Sequence, residues 1–244
     1  MLARNAQLDI LGPGCVMTIY VRDRVQVASI KQSSGAGGQS SEEVTLTFSM
    51  IEVDYRRRAA NGALGPVLSS SSDAGYGSGG PILVEPAFSA LADNPGLKGC
   101  FLHLADVEGG CMIQAYQGWC DALSYSQTTA ASWFSQPTQA GGTATALVPL
   151  TVTKRADPAT PILFNWCTHQ QPSYGMQLDA LKPGGVLSLG LKQWGLSKIR
   201  WALDDKGQPI EELTCLSDSM DLCYRTRDPH GVLGPPVQAH WQVQ

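Results

Sequence analysis

At 244 residues, with 17 Lys and Arg against 21 Asp and Glu and a formal net charge of −4, the chain as a whole is no polyanion binder. Twenty-six glycines, fifteen prolines and a charged fraction of 16% favour short strands joined by turns. Seven cysteines, an odd count without CxxC, suggest neither a disulfide framework nor a zinc ribbon.

The N-terminus, MLARNAQLDI, lacks an apolar core of signal-peptide length, and no apolar run approaches a membrane span. Synthesis in the cytoplasm without membrane insertion is the expectation. Residues 1–67 read as all-β. Val16–Val21 is a first strand, and Val25–Ile30 continues or follows it. From Glu42 to Tyr55, Val44, Leu46 and Phe48 alternate with Thr45, Thr47 and Ser49, a period of two that buries one strand face. The phase slips at Met50–Ile51, which reads as a β-bulge. Arg56–Arg58 is the only basic run and fits a solvated strand end better than a nucleic-acid contact. Residues 68–97 carry SSSSDAGYGSGG at 69–80 and read as a Gly/Ser linker with an arm or short helix around Pro86–Ala92.

From Lys98 the pattern changes. Cys100–Leu104, Asp121–Ser126 and Ala146–Lys154 read as strands. Asp157–Thr168 reads as a helix of about two turns, with Thr160 as N-cap, Pro161 in the first helical position, and Ile162, Leu163 and Trp166 pinning it to a sheet. Then the chain repeats itself. Glu211–Tyr224 restates Glu42–Tyr55 at an offset of 169 positions. Gly38–Gln39 meets Gly207–Gln208, Leu64–Gly65–Pro66 meets Leu233–Gly234–Pro235, and Gln7–Leu8–Asp9 recurs one residue out of step as Gln177–Leu178–Asp179. Roughly 60 residues are duplicated, a period too long for a solenoid.

Segments 98–169 and 177–244 together resemble the Hcp (haemolysin co-regulated protein) family, the inner-tube subunit of type VI secretion systems. The matching motifs are FLHLADVEG with Asp106, Val107 and Gly109; Leu123–Ser126; Ser135–Gln136–Pro137; Leu150–Lys154 with Asp157–Phe164; and Ser41–Tyr55 for the C-terminal signature. Gly234, Pro235, Val237 and Trp241 match its tail. The resemblance implies a mainly β fold, a β-barrel of two packed sheets with one short helix at 98–244. It adds an incomplete Hcp-like half domain, the C-terminal half of such a barrel, at 1–67. It implies a secreted tube component: self-association into hexameric rings that stack, contact with other secretion-machine components, and carriage of effector cargo. It brings no enzyme activity, no cofactor and no catalytic residue. In relatives the loop after Asp106 makes ring-to-ring contacts; here it carries Cys111, Met112 and Ile113. The duplication keeps two alternatives open: a hub or adaptor of a contractile injection machine built from fused tube-like domains, and a free-standing β-barrel binding module.

Other readings are bland. Cys167 with His169, or Cys100 with His103, lacks a third group to orient a base. His103, His169, His230 and His240 have no metal-ligand spacing. Glu42–Glu43 and Glu211–Glu212 point to opposite strand faces and read as solvated strand starts. Trp194 and Trp201 are the interface candidates. In the second copy Leu46 and Phe48 become Cys215 and Ser217, and losing a buried Phe costs about 3–5 kcal/mol where nothing fills its space. The shorter connection nevertheless favours pairing of 98–169 with the second copy.

Overall fold

The computed structural model describes residues 3–12, 14–34, 40–73, 98–127 and 149–242. The chain divides into two compact units, Met1–Gly77 and Ser78–Gln244. The expected arm at 86–92, Ser135–Pro137 and the Gly-rich 139–142 lie outside the described residues.

The first unit is five antiparallel strands: β1 (Ala3–Leu11), β2 (Cys15–Ser34), β3 (Ser40–Thr47), β4 (Met50–Arg57) and β5 (Leu68–Asp73). Their order is β1-β2-β4-β5, with β3 on the far half of β2. The two expected segments of β2 are one strand, which turns through Asp23 and Arg24 at φ 53° and 51°. The phase slip is a strand break. Phe48 and Ser49 leave the ladder, and the Ser49 N–H donates to the Asp23 carbonyl at 3.0 Å. The bulge sits across the ladder, between Val27 and Ser29 of β2. Residues 68–73, expected as linker, pair along β4 as β5. A serine run suffices here because an outermost strand needs backbone partners more than apolar side chains. Ser69 Oγ also donates to Asp54 Oδ1 at 2.5 Å.

The second unit contains β6 (Gly99–Leu104), β7 (Cys120–Gln127), β8 (Leu150–Arg155), helix α1 (Thr160–Thr168), β9 (Pro172–Lys182), β10 (Gly185–Leu203), β11 (Pro209–Ser217), β12 (Ser219–Thr226) and β13 (Val237–Gln242). The order is β11-β8-β7-β6-β9-β10-β12-β13, and a further β10–β11 pairing closes the barrel. Segment 98–169 thus completes its barrel with the second copy of the repeat: β6 lies on β9 and β8 on β11. Leu102, Leu104, Val152, Leu163, Leu178, Leu191, Trp194 and Leu213 fill the interior.

The repeat is visible strand for strand. Leu11 pairs with Val16 and Leu181 with Val186; Tyr55 pairs with Leu68 and Tyr224 with Val237. The β2 bulge at Val27/Ser29 returns in β10 at Leu196/Lys198. Arg56 Nε donates to the Gly65 carbonyl at 3.2 Å, and Arg225 Nε to that of Gly234 at 2.9 Å. Gly62 and Gly231 close the same loop at φ 83° and 88°, a conformation that a Cβ would strain. The one-residue step falls at Asp23–Arg24.

The loss of Phe48 in the second copy leaves no hole. Ser217 faces Trp194 across the ladder, and Phe48 is itself 38% exposed, so its replacement removes no fully buried side chain. Trp194, expected at an interface, is buried in the core.

Candidate functional site

The loop 105–119, between β6 and β7, is a braced element of the second unit's surface. It turns at Asp106, whose φ of 62° suits a residue that tolerates the left-handed region. Its two limbs zip together: Gly109 N–H donates to Gly118 O at 2.6 Å, Cys111 N–H to Trp119 O at 2.8 Å, and Gly118 N–H to Cys111 O at 3.2 Å. A 3₁₀ turn at Gln114–Tyr116 follows the tip.

Beneath the loop is a second apolar cluster of Phe101, Cys111, Tyr116, Leu181 and Val186 on the outside of the barrel. The Tyr116 ring stacks on Phe101 at 4.1 Å and meets Trp119 edge-on at 4.9 Å. The Tyr116 hydroxyl donates to Asp179 Oδ2 at 3.3 Å, and Gln177 Nε2 donates to Asp179 Oδ1 at 3.0 Å. Burial pushes the Asp179 carboxyl up, against these hydrogen bonds. Cys111 therefore belongs to the underside of the loop, while Met112 and Ile113 are displayed, Met112 with 66% of its surface open. Met112 and Ile113 thus form an exposed apolar pair on a braced loop.

The loop is also tied to a buried charge cluster. Gly110 N–H donates to Asp157 Oδ2 at 3.2 Å. Lys154 Nζ lies 2.7 Å from Asp157 Oδ1 and 2.5 Å from Glu211 Oε1. Glu211 is fully buried, not a solvated strand start. Burial and the like charge of Asp157 push its carboxyl up, opposed by Lys154. Asp157 begins the turn into α1: its Oδ1 accepts from Ala159 N–H at 2.9 Å, and its own N–H donates to Thr160 Oγ1 at 3.0 Å. These bonds fix the turn ahead of α1, whose N-cap position is Ala159 without a side-chain cap hydrogen bond, so Thr160 is not the cap expected from the sequence. Thr160 instead donates to Glu211 Oε1 at 3.1 Å. Leu163 and Phe164 face the barrel, whereas Ile162 falls on the opposite side and is exposed.

Trp201 is half-buried. Its ring lies 5.6 Å from Phe164, and Nε1 donates to Glu211 Oε2 at 3.2 Å. Among the described residues no reactive constellation forms around the cysteines. His169 Nδ1 lies 3.0 Å from the Asn165 carbonyl at the helix end, and burial pushes the Cys167 thiol up. Burial also lifts Cys100 to about 12 and lowers His103. Among the described residues no group of three or more His, Cys, Asp or Glu could hold a metal, and no helix is long and apolar enough to cross a membrane. Sequence reasoning placed Cys111, Met112 and Ile113 on a loop, as the structure does, but did not single out Tyr116 and Asp179. The recurrence of Gln7–Asp9 as Gln177–Asp179 was the available signal.

Residues 101–216 match the family model described as Type VI secretion system effector, Hcp. Among solved structures, a type six secretion system protein superposes with a TM-score of 0.50 at 17% identity, covering 60% of this chain and 96% of its own. A type VI secretion system effector from Yersinia pestis gives 0.47 at 16%, over 59% of this chain and 99% of its own. Hcp1 from Salmonella typhimurium gives 0.47 at 16%, over 59% and 93%. At 17% identity the first of these shows a shared fold and nothing more; with the family-model match, the chain carries an Hcp-like barrel. The search of curated proteins returned no match.

Proposed function

We propose that this chain, with an Hcp-family segment at its centre, is an assembly component of a type VI secretion system that forms rings, stacks them and accompanies effectors out of the cell. The observation that carries this reading is the braced 105–119 loop with Met112 and Ile113 turned to solvent. Two exposed apolar side chains on a mobile loop would be ordinary surface. Fixed by Cys111, Tyr116 and the Gly109–Gly118 zipper, they offer a preorganised contact with little entropy left to lose. The reading involves no catalysis, no cofactor and no nucleic acid. Trp201, half-buried against α1, is the remaining candidate for a contact between subunits.

Negative-stain imaging of the purified chain tests it. Rings with six barrel positions are expected, and Met112→Asp with Ile113→Asp should leave rings or monomers that no longer stack. A monodisperse monomer at micromolar concentration would overturn the reading. The repeat of register between the two units favours a second reading, a hub built from fused tube-like domains, for which particles of three-fold symmetry are the expected result.

A further inference from the structure

We propose that the first unit is a docking site for a second half-barrel of the kind residues 98–169 form, three antiparallel strands and a helix. The second unit is the template. There, β6 covers the edge of β9 and β8 covers the edge of β11. By register β1 and β3 of the first unit correspond to β9 and β11. Among the described residues no strand pairs with their free edges.

Both faces of β1 are left uncovered. On the barrel side, Leu8 is 57% exposed where its counterpart Leu178 is 0%, and Val44 is 48% exposed where Leu213 is 0%. On the outer side, Leu11 is 69% exposed where Leu181, beneath Tyr116 and Phe101, is 5%. A generic apolar partner would explain one face; only a segment that wraps the strand edge explains both. The polar groups say the same. Gln7 Nε2 donates to Asp9 Oδ1 at 2.9 Å, as Gln177 does to Asp179, and Thr18 holds Asp9 as Ser188 holds Asp179. In the second unit this pair receives the Tyr116 hydroxyl from the 98–169 segment; in the first it stands open to solvent. The occupant is thereby specified: an extended strand for β1, a tyrosine-bearing loop for Asp9, and a strand for β3. The register puts Glu42 opposite Gln32, the position of Glu211 opposite Trp201, so that occupant is expected to carry a lysine at the place of Lys154.

The test is co-expression of the full chain with a tagged polypeptide of residues 98–169 as probe. A one-to-one complex is expected. Leu8→Asp with Val44→Asp in the full chain should lower capture about tenfold or more, since each would bury an unpaired carboxylate. Both residues are exposed, so these variants keep their circular dichroism. Lys154→Met in the probe should also weaken capture, and bound probe should slow amide exchange in β1 and β3. Failure to capture the probe overturns the proposal. So does capture insensitive to Leu8→Asp and Val44→Asp, which would mean exchange into the second unit. So, too, does a dimer of the chain alone that the same substitutions dissolve, which would make a second copy the occupant. None of these outcomes depends on ring formation.

Discussion

Lys154 Nζ lies 2.5 Å from Glu211 Oε1, and neither side chain reaches solvent. With Asp157 at 2.7 Å, one ammonium serves two carboxylates. Lys154→Met would leave both without their cation and is expected to cost about 3–5 kcal/mol. Replacing the pair together, as Lys154→Met with Glu211→Leu, should recover the part of that loss owed to Glu211, while Asp157 stays without its cation. All six tryptophans lie beyond Gly77, so fluorescence during urea unfolding follows the second unit alone.

Trp201→Phe removes the Nε1 donor to Glu211 Oε2 and should cost about 1–3 kcal/mol by leaving a buried acceptor short. In Trp194 the indole N–H has no acceptor among the described residues, so Trp194→Phe should lose packing only. Adding Lys154→Met discriminates the two in a double-mutant cycle: coupling is expected for Trp201 and none for Trp194.

Asp179 gives a pH dependence of defined sign. Burial raises its folded pKa above the ordinary 3.8, so the folded state binds its proton more readily than the unfolded chain. Its favourable contribution is present below pH 3.8 and is lost as pH rises through the folded value. Asp179→Asn keeps an acceptor for one hydrogen bond and removes the charge. It should stabilise the second unit at pH 7, and the gain should vanish toward pH 3.8 in urea titrations across that range.

A Cβ at Gly109 would overlap the backbone of Trp119 and Cys120. Gly109→Ala should therefore open the loop zipper and destabilise by about 1–3 kcal/mol or more. Faster amide exchange at Cys111 and Gly118 would report it.

Cys120 and Cys215 should be silent in the native chain. Burial lifts Cys215 to about 12 and carries Cys120 well above its ordinary 9.0, leaving almost no thiolate at pH 8. Iodoacetamide followed by mass spectrometry should label neither until urea is added. Rapid native labelling of Cys120 would contradict the packing described.

The strands and the repeat were legible because alternation and self-similarity are written residue by residue. Val44–Thr47 and its echo at Leu213–Leu216 declare a strand without reference to anything distant. The misreadings arose where the deciding neighbour lies far along the chain. Glu211 looks like a polar strand start until Lys154 is brought opposite it. The serines of β5 misled by composition, since an outer strand can be held by its ladder alone. Cys111, Met112 and Ile113 were legible as a loop but not as one buried and two displayed side chains. That division depends on Tyr116 and Asp179, which meet across 63 positions.

Glu211 stands opposite Lys154 in the β8–β11 ladder, the seam between segment 98–169 and the second copy of the repeat. Alternating apolar strands can be laid together in several frames that differ little in adhesion. A slip of one residue here turns Glu211 outward and strands the ammonium, a penalty of about several kcal/mol. The cluster thus checks alignment as this seam forms, admitting one frame and rejecting its neighbours. The apolar double variant would keep its adhesion and lose that check, and its seam amides are expected to show more than one set of resonances.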